Sequence, residues 1–421
     1  MVSVLDLASL YPMCMVTINA SPESKVNPDV YDGEMYRAPN GTHFRKEPDG
    51  IIRSMVDELL AERQEKKDRR DEYDPESDAF ARFDRQQQAV KVLMNSLYGV
   101  LAWTRFRLYD REMGAAVTAT GRGVLEYTEE QVNYLDKEVI YGDTDSVMIS
   151  VGRDIQRDDA IGRSLEIEEH INASYDEYAA ENLNASSHRF EIEFEKLYRR
   201  FFQAGKKKRY AGHAIWKEGK DVDDVDIVGF EYQRSDIAPI TKEVQLRVIE
   251  LIVSGEDIDE DLEEVKTYLS DVIEDFLGGN VDLNDVGIPG GIGKRLDNYE
   301  TDTAHVRGAK YANTVLGTNF ARGSKPKRYY LEGVHPSFFR RMEDEEGLDP
   351  RRDPMYGEFK RDPDVICVEY AEEIPDEFDV DYEKMLDKTL KGPISRILEA
   401  LDLSWEEIKS GQEQTGLGTF V

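Results

Sequence analysis

The chain has 421 residues, 40% of them hydrophobic, with 22 Tyr and 16 Phe, and carries a formal net charge of −33. That length and aromatic content support more than one packed core and exclude a disordered chain in spite of the charge. No apolar run of about 18 residues occurs, no basic segment leads an apolar one at the N-terminus, and Cys14 and Cys367 form neither a disulfide framework nor a metal spacing, which excludes membrane-spanning and disulfide-stapled classes and points to a reducing cytoplasm.

Val2–Leu7 reads as a strand with Asp6 near its end, broken by Ser9-Leu10-Tyr11-Pro12. Residues 20–50, rich in Pro, Asn, Asp and Gly, read as irregular. Ile52, Met55, Val56, Leu59 and Leu60 predict one face of a helix over 51–70. Residues 71–78, with Pro75, break it, and a second helix covers 79–99. Two long helices across a short break predict an antiparallel helical hairpin. A helix over 113–136 leads into residues 139–149, a β-hairpin with Asp143-Thr144-Asp145 at or beside its turn. A helix over 157–182, strand-like residues 189–233, and helices over 241–253, 259–276 and 386–401 follow. Residues 340–365, with Pro and alternating charge, read as a surface insertion, and the last residues as a short Gly-containing tail.

Side chains two apart on an extended chain share a face, so Asp143 and Asp145 repel unless a cation sits between them or one takes a proton. A hard cation such as Mg²⁺ suits that pair. A solvated acidic turn is the plain alternative, since 87 of the 421 residues are Asp or Glu. Lys91, Asn95 and Tyr98 fall on one helical face; the alternative is an ordinary amphipathic helix with Val92, Leu93 and Leu97 buried opposite. Arg63 and Lys67 stand four apart, where like charges destabilise a helix slightly unless an anion lies between them. The four cations Lys206 to Arg209 suggest a polyanion in a chain this acidic. Arg outnumbers Lys, 31 to 23, and an acidic, Lys-poor, folded chain suggests adaptation to high intracellular salt, where screening suppresses self-repulsion.

In this order the pieces resemble the polymerase module of the family B DNA polymerases, most closely the archaeal replicative ones. The residues that carry the resemblance are Asp6 with Ser9-Leu10-Tyr11-Pro12, Lys91 through Asn95-Ser96-Leu97-Tyr98-Gly99, Tyr141-Gly142-Asp143-Thr144-Asp145-Ser146, and Lys207-Lys208-Arg209-Tyr210. Arg63-Gln64 with Lys67, Gly229-Phe230-Glu231, and His305-Val306 with Ala309-Lys310 extend it. The family often has Ser where Met13 stands, and the likeness is weakest over 340–365.

The resemblance implies an α+β, right-hand module with an antiparallel-sheet palm, helical-hairpin fingers and a mostly helical thumb. It divides the chain into palm (1–44 and 99–235), fingers (45–98), thumb (236–409) and a clamp-binding tail (410–421). It implies primer extension with two Mg²⁺ ions, Asp6 and Asp145 as principal ligands, Asp143 supporting, and Glu195 as an auxiliary acid. Arg63, Lys67 and Lys91 would neutralise the triphosphate, with the N–H groups of Leu7 to Leu10, Ser9 among them, cradling its oxygens. Tyr11 would lie under the sugar and exclude a 2′-hydroxyl. Asn95 and Tyr98 would line the nascent base pair, Gly99 and Tyr210 would join Tyr98 in binding DNA, and Lys207, Lys208 and Arg209 would hold the duplex by its phosphates. Gln414, Leu417 and Phe420 resemble a sliding-clamp peptide in which Val421 replaces the second aromatic.

Family B places an N-terminal domain and a 3′→5′ exonuclease domain before the first motif, whereas Asp6 stands almost at the start here. The expectation is a split or truncated subunit without proofreading residues, with primer–template DNA, deoxynucleoside triphosphates, a clamp and a separate N-terminal chain as partners. The alternative is a non-catalytic DNA- and clamp-binding remnant. An RNA polymerase or reverse transcriptase fits Tyr11 less well.

Overall fold

The computed structural model describes residues 1–153 and 155–411. They fall into two compact units: Met1–Arg200 with Ala214–Asp224, and Phe201–His213 with the residues from Val225 on.

In the first unit, alternation sets the central strand. Leu5 and Leu7 of β1 (Val2–Leu7) are buried, so Asp6 between them faces the other way. The chain then passes through Ser9, at φ 52°, into α1 (Leu10–Thr17). Pro12 therefore sits in a first helical turn, where its missing N–H costs nothing, and does not mark a simple break. Residues 20–50 are more ordered than their composition suggests. They hold β2 (Lys25–Val26), β3 (Met35–Arg37) and β4 (His43–Arg45), a small antiparallel sheet in the order β2-β4-β3.

The two long helices are α2 (Ile51–Asp71) and α3 (Asp78–Leu101). The hydroxyl of Ser77 caps α3 by accepting from the N–H of Phe80. Arg63 bonds Gln87 and Arg70 bonds Asp84, a pairing that only an antiparallel hairpin allows. Of the apolar face expected on α2, Ile52 and Val56 are buried and Met55 is exposed.

Asp110 caps α4 (Arg111–Tyr134) and is held in turn by the Lys25 ammonium at 2.5 Å. Next come β5 (Glu138–Asp143), β6 (Ser146–Ser150), α5 (Arg157–Leu183), β7 (Ile192–Gln203), β8 (Tyr210–Lys217) and β9 (Lys220–Val228). The sheet order is β5-β6-β1-β7-β8-β9, antiparallel at each pairing of β1 and at β5 with β6. Val117, Val124, Ile167 and Ile171 of α4 and α5 share one core with Leu5, Leu7, Val147, Ile149 and Ile192 of the sheet. Helices thus cover one sheet face, and the residues that alternate with the core strand positions lie on the other.

The second unit contains α6 (Pro239–Ser254), α7 (Ile258–Leu277), α8 (Leu283–Val286), β10 (Ile288–Pro289), α9 (Ala304–Val315) and β11 (Lys327–Val334). Then follow α10 (Pro336–Asp344), α11 (Pro354–Arg361), β12 (Val365–Val368), β13 (Phe378–Val380), α12 (Tyr382–Leu386), α13 (Gly392–Glu399) and α14 (Trp405–Ser410). Strand β11 pairs with β10, β12 and β13, so a small sheet sits among these helices.

Residues 340–365 are not a surface insertion. Phe338, Phe339 and Met342 of α10 and Tyr356 and Phe359 of α11 are buried in the main core of this unit, and every residue of β12 is buried. Of the prolines there, Pro354 opens a helix at its first position, where proline is favoured. Both cysteines are free and buried. Among the described residues, no helix is long and apolar enough to cross a membrane.

Candidate active site

Strand register builds an acidic row. Asp143 of β5 stands opposite Ser146 of β6, Ser146 opposite Asp6 of β1, and Asp6 opposite Glu193 of β7. Opposed residues on antiparallel strands share a face, and Glu195, at a bulge in the β1–β7 pairing, lies near enough for its charge to act on Asp6. Asp145 reaches the row from the turn. Its carbonyl accepts from the Leu7 N–H at 2.6 Å, its own N–H donates to the Asp143 carbonyl, and Thr144, at φ 39°, reverses the chain.

Asp143 and Asp145 therefore do not share an extended face, as their spacing suggests. The strand stops at Asp143, and the turn redirects Asp145 toward Asp6. Asp143 is two strands away from Asp6, about 10 Å at a strand spacing of about 4.8 Å.

Burial and the charges of Asp145 and Glu195, with a smaller push from Glu193, raise the Asp6 carboxyl from 3.8 to about 7; Lys91 pulls the other way. Among the described residues, no three His, Cys, Asp or Glu side chains could enclose a cation unaided. Two converging carboxylates with the other positions left to phosphate and water nevertheless fit Mg²⁺. The raised Asp6 reflects burial first and then the repulsion of its acidic neighbours, which a cation would relieve.

The α2–α3 hairpin turns an unusual face to this row. Phe83, Gln87, Met94 and Leu101 are the buried residues of α3, and Lys91 and Tyr98 fall on the same stripe. Val92 and Leu93 are 64% and 56% exposed. Of the residues that the ordinary amphipathic reading buries, Leu97 is half-buried against the core while Val92 and Leu93 face outward, and the cation Lys91 lies on the stripe of the buried residues. Arg63 donates to Gln87 at 3.2 Å. Burial lowers its pKa, opposed by the Glu193 charge. Lys67 is half-buried on α2, and Asn95 and Gly99 are exposed on α3. A Cβ on Gly99 would meet nothing within 4 Å, so no protein packing demands glycine there.

Tyr11 of α1 stacks on Tyr98 of α3 with centroids 4.6 Å apart. A Cβ on Gly121 of α4 would come within 3.3 Å of both Leu10 and Tyr11, so the bare glycine makes room for that ring. The phosphate cradle expected at Leu7 to Leu10 is shorter than proposed. Leu7 N–H is bonded to Asp145 and Ala8 N–H to Glu191. Ser9 and Leu10 remain, at the start of α1, where no preceding turn supplies acceptors.

The basic element lies in the second unit, on the turn between β7 and β8. Ala204 N–H bonds the Arg209 carbonyl at 3.1 Å, and Lys206, Lys207 and Lys208 are exposed. Arg209 differs from its neighbours: its guanidinium lies 2.8 Å from the carboxylate of Glu231. Tyr210 follows at the start of β8 and tilts against Phe201. Gln414, Leu417 and Phe420 lie outside the described residues.

Sequence reading overlooked Glu193, Gly121 and Gln87, and named Glu231 within the resemblance without giving it a role. Only Glu193 had a local signal: Glu191, Glu193 and Glu195 alternate with Ile192 and Phe194, the period of a half-buried strand.

The sequence model of DNA polymerase family B matches residues 1–325. Along its whole length the chain is 29% identical to DNA polymerase 2 of Aeropyrum pernix, of which it covers 45%. Over 75% of its length it is 32% identical to the DNA polymerase of Archaeoglobus fulgidus, covering 36% of that protein. It is 31% identical to the DNA polymerase delta catalytic subunit of Glycine max over 72% of the chain and 28% of that subunit. The family B DNA polymerase structure from Pyrobaculum calidifontis matches 94% of the chain with a TM-score of 0.66 at 27% identity, and the chain covers 45% of it. The chain thus spans less than half the length of these relatives. With the family's sequence model matching from Met1 through the acidic row, the cationic hairpin and the basic turn, this chain belongs to DNA polymerase family B.

Proposed function

We propose that the chain is a polymerising module that adds deoxynucleotides to a primer 3′-hydroxyl on a DNA template. The observation that carries this is Asp6. It is a carboxylate on a sheet face, crowded by Asp145 and Glu195 and countered by Lys91 from the helical hairpin. Such a charge arrangement is costly in the free protein and useful to a triphosphate with its cation.

On this reading, residues 1–44 and 99–235 form the palm, 45–98 the fingers, 236–409 the thumb and 410–421 the clamp-binding tail. Asp6 and Asp145, with Asp143 outside them, would hold two Mg²⁺ ions, which supply charge neutralisation and a more acidic 3′-hydroxyl. The 3′-hydroxyl gives up its proton to water, its oxygen forms a new bond to the α-phosphorus, the bond to pyrophosphate breaks, and pyrophosphate leaves with the electron pair. Lys91, Arg63 and Lys67 stabilise the charge that develops on the phosphates. Ser9 and Leu10 offer backbone N–H groups to phosphate oxygens. Tyr11, backed by Tyr98, excludes a 2′-hydroxyl, and Asn95 and Gly99 border the nascent pair. Lys207, Lys208 and Tyr210 engage the duplex. Gln414, Leu417 and Phe420 would dock on a sliding clamp. The charge of −33 suits a cytoplasm of high salt.

Primer extension by the purified chain, with and without candidate N-terminal fragments and over a KCl series, tests the reading. Extension that depends on divalent cation and rises toward molar KCl is expected. DNA binding without extension under every condition would favour the non-catalytic subunit instead.

A further inference from the structure

Glu231 belongs to Gly229-Phe230-Glu231, a segment to which the reading above gives no task. Its side chain is only 7% exposed, yet it carries a carboxylate. Arg209 approaches it at 2.8 Å from the β7–β8 turn, Arg396 of α13 pairs with the same oxygen, and the Gln245 amide donates to the other at 3.1 Å. Gln245 is itself fixed, accepting from the Tyr232 N–H at 2.8 Å. The neighbouring Gly229, at φ 76°, lies so close to the turn that a Cβ there would stand 1.6 Å from the Lys208 carbonyl oxygen.

Two independent contacts, one ionic and one of backbone against backbone, therefore anchor the turn that displays Lys206 and Lys207. A guanidinium committed to a buried carboxylate is a poor phosphate contact, because leaving would strand that carboxylate. A turn fixed beforehand loses little further entropy on binding.

We propose that Glu231 is a positioning residue for duplex DNA: by holding Arg209 and Arg396 it fixes the β7–β8 turn so that Lys206 and Lys207 meet the phosphates, and Arg209 itself makes no phosphate contact. The inference rests on the reading of the chain as a primer–template-binding module. The burial of Glu231 pushes its carboxyl up, but the Gln245 bond and the charges of Arg209 and Arg396 outweigh it and hold the group below its ordinary value, ionised and paired.

The slope of log affinity against log salt counts phosphate contacts, at about 0.9 per contact on duplex DNA. A labelled primer–template duplex is titrated with the wild-type chain, Glu231→Gln, Arg209→Met and Lys207→Ala over a KCl series. Lys207→Ala is expected to flatten the slope by about 0.9. Glu231→Gln and Arg209→Met are expected to weaken binding about tenfold at every salt concentration with the slope unchanged. In extension assays they should raise KM for the duplex and leave kcat alone. Arg396→Met, a change outside the turn, should give a smaller loss of the same kind and serves if Glu231→Gln does not fold.

Three results would overturn the inference: unchanged affinity in Glu231→Gln, tighter binding with a steeper slope, or a slope in Arg209→Met as flat as in Lys207→Ala. If the wild-type chain binds no duplex, it is the functional reading that falls. Hydrogen exchange at residues 204–210 then decides the positioning, and equal protection in wild type and Glu231→Gln would refute it.

Discussion

Two places in this chain bring charges together under partial burial, and they resolve them in opposite ways. At the end of β1, Asp6 meets Asp145, Glu195 and Glu193 with Lys91 opposing them, and its carboxyl rises to about 7. At Glu231 a single carboxylate receives two guanidiniums and an amide, and its carboxyl falls below the usual range. The second arrangement is complete, and its partners come from three separated stretches of chain, which makes it a tie. The first is incomplete within the protein. Natural folds tolerate such incompatibility where a ligand finishes the arrangement.

The largest expected effect tests whether the first site is truly unfinished. Asp6→Asn removes a metal-binding oxygen and a repelling charge together. Loss of several kcal/mol of cation-mediated stabilisation, at about 1.36 kcal/mol per tenfold, predicts a fall in extension on the order of 10³-fold. Without divalent cation the same variant should be more stable than wild type by about 1–2 kcal/mol above neutral pH, a figure discounted for the partial exposure of the site. Single-turnover extension and thermal unfolding in chelator measure the two. A variant that is both inactive and less stable would mean that Asp6 is structural.

The sign of the pH dependence separates the two regions further. Asp6 has a folded value near 7 against 3.8 for the free group, so its penalty is absent below 3.8, grows as pH rises, and is complete above 7. Divalent cation should therefore raise Tm more above pH 7 than well below it, and Asp6→Asn should erase that difference. Glu231 runs the other way. Its paired carboxylate contributes stability above 4.5 that is lost as pH falls through its lower folded value. Glu231→Leu leaves two partly exposed guanidiniums without their partner. The expected cost is about 1–3 kcal/mol, below the 3–5 kcal/mol or so of a fully buried broken pair, and it should shrink in acid. Denaturant unfolding across pH reads this, and a cost that is flat with pH would show that packing alone is lost.

A smaller effect is expected at Tyr11. Its ring is backed by Tyr98 at 4.6 Å and by the bare Gly121, so it is held as a flat wall. Tyr11→Ala should raise ribonucleotide relative to deoxyribonucleotide incorporation by about tenfold, roughly one lost steric contact. An unchanged ratio in competition assays would move the gate elsewhere.

What could be read from sequence depended on distance along the chain. Strand β1, the α2–α3 hairpin and the Asp143–Asp145 turn have strong local periods, and all three formed where those periods put them. The facing of α3 was not legible, because it is set by the stripe Phe83, Gln87, Met94 and Leu101 rather than by Val92 and Leu93. Strands β2 to β4 have two or three residues each, too short to show alternation. The prolines and alternating charge of residues 340–365 read as a surface insertion, yet Pro354 starts a helix that buries Tyr356 and Phe359. Glu231 with Arg209 and Arg396 could not be anticipated at all, since its partners lie 22 and 165 residues away.

The finest test of the contrast is a position where the protein asks for nothing. Gly99 lies inside α3 and exposed, and a Cβ there would meet no atom within 4 Å. Glycine in a helix interior is about 0.5–1 kcal/mol less favourable than alanine, so folding alone would prefer alanine here. It follows Tyr98, whose ring backs Tyr11 on the stripe that also carries Lys91. If the empty space is kept for the nascent base pair, Gly99→Ala should stabilise the chain by about that amount while lowering extension severalfold. A surface glycine with no task would give the stabilisation without the loss. Chemical denaturation and steady-state extension on one preparation distinguish these outcomes. Undiminished extension would place the base pair away from this helix and would weaken the assignment of Asn95 and Tyr98 with it.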